Sequence, residues 1–278
     1  MNKNSKQLLA FPYIIWMVGF TVIPLLMVFF YGLTDRRGAF TMSNILAIFT
    51  DDHMKALILS LTYSIISTII CLLIAYPLAM ILRNRHIGKG SFVVFIFILP
   101  MWMNFLLRTL AWQTLLEKNG VINTILSFLH LPALSIINTP AAIVLGMVYN
   151  FLPFMVLPLY SVMAKLDPRV IEAAQDLGCN GWNVFRRIVL PLSVPGITAG
   201  ITMVFVPAVS TFIITKMLGG GITGMLIGDV IESMFIGQAP NYNVGATLSL
   251  LLMALMLLCM AFMGLADRDD DAIGGMMT

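Results

Sequence analysis

The chain alternates long apolar runs with short polar or basic segments, and the run lengths dictate its class. No charged residue falls between Leu8 and Thr34. At a rise of about 1.5 Å per residue, a helix of that length crosses a hydrocarbon core of about 30 Å. The run is too long for a signal peptide, and no small-residue cleavage site closes a short apolar core. Similar runs cover 56–82, 91–116, 141–164, 188–215 and 242–266, the third of them interrupted by Arg108. The pattern predicts an all-α integral membrane protein of six transmembrane helices, in a single membrane domain covering 1–278. Pro24, Pro77, Pro153, Pro158, Pro195 and Pro207 lie inside the spans and predict kinks, which membrane helices tolerate when neighbours satisfy the freed carbonyls.

Composition agrees with the pattern. Charged residues make up 10% and apolar residues 59% of the 278 residues, against roughly 25% charged in soluble domains. Orientation follows from the basic residues. With the N-terminus inside, ten Lys and Arg residues fall on the inner segments: Lys3, Lys6, Arg83, Arg85, Lys89, Lys165, Arg169, Arg186, Arg187 and Arg268. Five fall outside: Arg36, Arg37, Lys55, Lys118 and Lys216. The positive-inside rule therefore predicts both termini on the cytoplasmic side. Cys71, Cys179 and Cys259 show no metal-ligand or CxxC spacing and read as unpaired thiols. His53, His86 and His130 have no partner at metal-ligand spacing, so no metal site is expected.

One inner segment, 167–187, differs from the rest. Asp167 is a good N-cap, and Pro168 suits the first helical position. Arg169 to Leu177 is a good helix sequence, with Val170, Ala173, Ala174 and Leu177 at i, i+3, i+4 and i+7. Gly178 follows where a helix ends in a left-handed residue. A second short helix is expected from Asn180, carrying Trp182 and Phe185 and running into Ile188-Val189-Leu190-Pro191. Two short helices joined at a glycine form a compact knob beneath the membrane, suited to docking. A plain amphipathic helix on the membrane surface is the competing reading. The external segment 216–241, with its glycines and an apolar stretch holding Asp229 and Glu232, is expected to be a re-entrant or interfacial helix.

Glu172-Ala173-Ala174, Gly178 and Ile188-Val189-Leu190-Pro191 together resemble the EAA loop of ATP-binding-cassette importer permeases, in spacing and in position before the second-to-last span. Leu99-Pro100-Met101-Trp102, Leu107-Arg108-Thr109, Ala111-Trp112, the run from Leu152 to Tyr160, Lys165-Leu166-Asp167, Met217-Leu218-Gly219-Gly220 and Leu226-Ile227-Gly228 are similar to spermidine/putrescine permeases. The likeness is greatest to the first of the two permease subunits of that importer, from about Leu8 to Leu265. It implies a type I importer fold and a pore-forming role in polyamine transport. It also implies three partners: a cytoplasmic ABC ATPase dimer, a second permease completing a heterodimer, and an extracytoplasmic substrate-binding protein. Membrane lipids surround the chain, and no nucleic acid is expected. Arg169, Glu172, Ala173, Ala174 and Gly178 become the residues coupling to the ATPase. No GxxxxGK[ST] phosphate loop is present, so the chain is expected to be no enzyme, with no cofactor bound directly and ATP acting through the partner.

A polyamine seeks carboxylates and aromatic faces, and no Asp or Glu lies inside the six spans. Tyr149, Asn150, Tyr160, Asp229 and Glu232 are the candidate substrate route, against the alternative that Asp229 and Glu232 are solvated or paired interfacial residues. Arg108 is expected to be structural, paired with an acid or capping carbonyls, because a bare cation in the route would repel the solute. A permease for another solute (an organic cation, iron or an anion) is the alternative within transport. The shortage of intramembrane ionisable residues argues against a secondary transporter, and the lack of HExxH, GxSxG and GxGD against an intramembrane enzyme.

Overall fold

The computed structural model describes residues 11–84, 99–221 and 224–275. Five of the described helices are long and apolar enough to cross a membrane. They are α1 (Phe11–Leu33), α3 (Asp51–Asn84), α6 (Pro140–Met163), α8 (Gly181–Ser210) and α11 (Tyr242–Gly275). Shorter helices connect them: α2 (Ser43–Ile48), α4 (Phe105–Leu116), α5 (Val121–Phe128), α7 (Pro168–Asp176), α9 (Ile213–Leu218) and α10 (Ile227–Ile236).

The third expected span, 91–116, differs from expectation. Its first eight residues, 91–98, lie outside the described residues. The remainder is a 3₁₀ turn, Leu99–Trp102, followed by α4. Asn104 explains the break: its Oδ1 accepts from the amides of Leu106 and Leu107 at 2.8 and 3.4 Å, which caps a new helix rather than continuing the old one. The fifth expected span, 188–215, also moves. Its helix starts earlier, at Gly181, and ends at Ser210, with Thr211 extended before α9 begins. The helix carrying Trp182 and Phe185 is therefore continuous with the span. The last helix does not stop at the charged residues; its backbone continues to Gly275.

Two prolines are accommodated by the same device. Val18–Val22 in α1 and Phe185–Val189 in α8 are π-helical turns, closed by Ile23 N to Val18 O and Leu190 N to Phe185 O. Each ends two residues before a proline, Pro24 or Pro191, whose ring would crowd the carbonyl four residues back in an α-helix. The wider turn relieves that clash.

The chain falls into two compact units. One comprises the residues up to Lys55 and Val230–Met256; the other comprises Ala56–Asp229 and the residues from Leu257 on. In the first unit, the carbonyls that α1 leaves unpaired at its end are satisfied by side chains. Thr34 O accepts from Asn44 Nδ2 at 2.8 Å and Asn243 Nδ2 at 2.6 Å. Gly32 O accepts from Thr247 Oγ1 at 2.9 Å. Orphan carbonyls at a membrane boundary require such partners.

In the second unit, α6 is the central helix, and Ile143, Met147, Met155 and Leu159 are fully buried. Lipid tails are as apolar as these side chains, so association rests on close packing rather than on the hydrophobic effect. Small residues permit that closeness. A Cβ on Gly200 of α8 would lie 2.6 Å from Met155 Sδ, and one on Gly196 would lie 3.1 Å from Pro158 O. Along α3, Ser60, Ser64, Ser67, Cys71, Ala75 and Ala79 are all completely buried. Ser67 Oγ approaches Met147 Sδ at 3.4 Å and Cys71 Sγ approaches Val148 O at 3.7 Å, so this small-residue face meets α6.

Candidate functional site

The segment between α6 and α8 forms a separate small knob. Asp167 caps α7, its Oδ1 accepting from Arg169 N at 2.9 Å, with Pro168 in the first turn. At the other end Gly178 takes φ +84°. Gly178 N then reaches Gln175 O at 2.9 Å and Cys179 N reaches Ala174 O at 3.0 Å, closing a Schellman motif. Asn180 Oδ1 accepts from Asn183 N at 2.8 Å and starts α8. The knob has its own core of Ala174, Val184 and Val189, flanked by Leu166, Ile171, Cys179 and Ile188.

The expected apolar face of α7 is divided by this core. Ala174 turns inward with Ile171, because Val184 and Val189 lie on that side. Val170, Ala173 and Leu177, at i, i+3 and i+7, turn outward together with Arg169 and Glu172. Leu177 is 86% exposed and Trp182 65% exposed. Of the five residues assigned to coupling, Arg169, Glu172 and Ala173 face outward, Ala174 packs inside and Gly178 sets the bend. The knob is tied to α3 by Arg83 Nη2, which donates to Leu166 O at 3.4 Å. An outward apolar strip edged by Arg169 and by the exposed carboxylates of Glu172 and Asp176 can dock a groove and fix its direction.

The candidate route residues divide differently. Asn150 is 1% exposed, and its Oδ1 accepts from Arg108 Nε at 2.7 Å. Its Nδ2 donates to Gly146 O at 2.8 Å. Arg108, 7% exposed, donates from Nη1 to Pro100 O at 2.7 Å and lies 5.8 Å from the centre of the Phe105 ring. A charge at mid-membrane costs roughly 2.5–3.5 kcal/mol on insertion scales. Two charge-assisted bonds to oxygen oppose that cost. Arg108 thus ties α4 to α6 and to the 3₁₀ turn, with carbonyls rather than an acid as partners.

Asp229 is buried at the start of α10. Its Oδ2 accepts from Leu226 N at 2.9 Å, and Ser60 Oγ accepts from Ile227 N at 2.7 Å. This is the reciprocal half of a capping box, with Ser60 of α3 satisfying a second terminal amide. A Cβ on Gly228 would lie 2.6 Å from Ser210 O, so the α10 terminus fits tightly against the break after α8. Glu232 is half-buried on α10, in the first unit. Tyr160 is half-buried against the α6 core. Tyr149 is exposed; its ring meets Trp112 edge-on at 5.0 Å, and both line an apolar cavity of about 590 Å³ with Tyr63, Ile66, Val144 and Val148. Of the candidate route residues, Asn150 is committed to Arg108 and Gly146 O, Asp229 to Leu226 N, and Tyr149 lines the apolar cavity. Reading the sequence missed Ser60, Tyr63 and Tyr76. Ser60 and Tyr63 lie among Thr62, Ser64, Ser67 and Thr68, so nothing in the run singles them out, and Tyr76 is a lone hydroxyl in an apolar stretch.

Comparison with known proteins shows the family. Residues 72–269 match the family described as binding-protein-dependent transport system inner membrane component. The chain is 38% identical over 266 residues to the spermidine/putrescine transport system permease protein PotB of Haemophilus influenzae, covering 92% of each. It is 35% identical to PotB of Escherichia coli, covering 87% of this chain and 92% of that one. It is also 32% identical to the inner membrane ABC transporter permease protein YdcU of Escherichia coli, covering 80% and 74%. The fold matches a chain of a bacterial alginate ABC transporter solved with an alginate pentasaccharide-bound periplasmic protein, at TM-score 0.80 and 18% identity over 95% of this chain and 93% of that one. The match over most of the chain, together with the knob between α6 and α8, makes this protein a member of the binding-protein-dependent transport system inner membrane component family.

Proposed function

We propose that this chain is a membrane-embedded permease subunit of an ATP-driven spermidine/putrescine importer. The observation that carries the solute is the identity of 35–38% to PotB proteins over 87–92% of the chain. In this reading the chain forms half of the translocation pore in a bacterial inner membrane, with both termini cytoplasmic. A second permease forms the other half, an ABC ATPase dimer docks on the knob, and an extracytoplasmic binding protein delivers the solute. ATP acts through the ATPase. Arg169, Glu172 and Ala173 form the contact, Ala174 supports it from within, and Gly178 holds the bend. Tyr149 is the route residue whose exposure leaves its ring available to an organic ammonium.

The test is uptake of labelled spermidine and putrescine into cells lacking their own polyamine importers. The chain is co-expressed with its ATPase, second permease and binding protein, with Glu172→Lys as the control. Uptake by the parent and loss in the control support the solute and the docking element together. A complex that assembles and hydrolyses ATP but takes up neither polyamine overturns the solute assignment and favours a permease for another solute.

A further inference from the structure

Four side chains form a continuous link from the surface of the knob to α3 and the body of α8. Trp182, on the outside of the knob, stacks on Phe185 with ring centres 5.4 Å apart and planes at 29°. Phe185 meets Tyr76 of α3 edge-on at 5.7 Å and 89°. The Tyr76 hydroxyl lies 2.9 Å from Ser193 Oγ. Ser193 is completely buried and donates to Leu190 O at 2.8 Å, so Tyr76 is the donor in that pair. Phe185 is also the first residue of the π-helical turn Phe185–Val189.

That turn matters because it is the junction between knob and span. A turn carrying an extra residue is a place where a helix changes register or twist at low cost. A displacement of the knob transmitted along the α8 backbone alone would be absorbed there. The aromatic ladder starts before the wide turn, crosses to α3, and returns to α8 beyond the turn, at Ser193. Edge-on and stacked ring pairs have preferred geometries, so they resist sliding more than aliphatic contacts of similar size.

We propose that Trp182, Phe185 and Tyr76 form a strut that carries displacement of the knob to α3, bypassing the π-helical turn, with Ser193 as its anchor on α8. These are positioning residues and touch no solute. The proposal rests on the reading that the knob docks an ATPase, and its test needs no polyamine, so it stands apart from the solute assignment.

The experiment uses the full complex in lipid nanodiscs, with Cys71, Cys179 and Cys259 replaced by Ala and a reporter Ile66→Cys on α3. The rate of thiol labelling is measured without nucleotide and with ATP and vanadate. The parent should change its rate by about fivefold or more between the two states, and a two-state element biased by the ATPase is the physical warrant being tested. Phe185→Leu keeps an apolar side chain of similar bulk but no ring face. It should reduce the change to below about twofold while ATPase co-purification and basal hydrolysis stay at the parental level. Phe185→Tyr keeps the ring and should restore the change. Tyr76→Phe keeps the ring but loses the Ser193 bond, and should give an intermediate value.

A parental response in Phe185→Leu overturns the strut. Loss of ATPase co-purification in Phe185→Leu would place the ring in docking rather than transmission, and overturns it too. A parent that co-purifies its ATPase but shows no ATP-dependent change overturns the strut alone, and a parent that co-purifies none removes the docking reading beneath it.

Discussion

The knob and the middle of α6 use their polar residues in opposite ways. In the knob, Arg169 and Glu172 project outward while a small core of Ala174, Val184 and Val189 holds the shape from within. In α6, Asn150 is turned inward and committed in both directions, accepting from Arg108 and donating to Gly146 O. The surroundings explain the contrast. The knob is short and presents a surface, so its charged groups cost little to display. In the membrane region no water is available, and a polar atom must find its partner inside the protein. The outward charges of the knob, Arg169 and Glu172, can thus be changed with loss of docking alone, whereas Asn150 in α6 and Arg108 in α4 are part of the fold.

Asn150→Leu tests the inward half of that contrast and has the largest expected effect. It removes the acceptor 2.7 Å from Arg108 Nε and leaves a buried cation with Pro100 O as its remaining bonded oxygen. Stranding a buried charge costs about 3–5 kcal/mol. The purified complex should unfold at a clearly lower denaturant midpoint, and adding Arg108→Met should recover part of the loss. An unchanged midpoint would show that Asn150 is not what stabilises the charge.

Glu172→Lys tests the outward half. Reversing a charge at a docking contact should weaken ATPase association by about 3 kcal/mol, roughly a hundredfold in affinity. The unfolding midpoint of the chain should stay at the parental value, because Glu172 is exposed and packs in no core. A fall in stability with unaltered association would reverse the contrast between the two regions. Gly178→Ala comes next. At φ +84° an Ala side chain costs roughly 1–2 kcal/mol. The Schellman closure would loosen, seen as faster hydrogen exchange at the end of α7, with uptake reduced a few-fold.

The two regions also differ in how far the sequence reveals them. The knob is written in local code: Asp167-Pro168 starts a helix, Gly178 ends it and Asn180 starts the next. Each of these caps is present in the structure. What local code did not reveal is which face of α7 turns inward, because Val184 and Val189 decide that from the start of the next helix. Within the membrane the apolar runs gave α1, α3, α6, α8 and α11, since run length alone carries the signal. The break at Met103 and Asn104 was hidden, because Asn104 sits in an apolar run whose average does not change. The bond between Arg108 and Asn150 was hidden as well. It joins residues 42 positions apart, and only the packing of α4 on α6 brings them together. Ser60 and Asp229 at the start of α10 illustrate the same limit over a longer separation.

Asp229→Asn should have the smallest effect of the series, and it separates two roles of one carboxylate. As a cap, Asp229 needs only an oxygen to accept from Leu226 N at 2.9 Å. The amide oxygen of Asn can make that bond, and Asn ranks with Asp as a helix-terminal acceptor. Stability should therefore change by less than about 0.5 kcal/mol, whereas Asp229→Ala, which removes the acceptor, should cost roughly 1 kcal/mol. On a cation's route, by contrast, the charge itself matters and the amide is no substitute. Uptake of labelled spermidine by Asp229→Asn should remain within about twofold of the parent, because the carboxylate is buried and used within the fold. A tenfold fall with parental stability would mean that the negative charge faces the solute. Asp229 would then belong with Glu172, among residues whose chemistry is directed at a partner rather than at the fold.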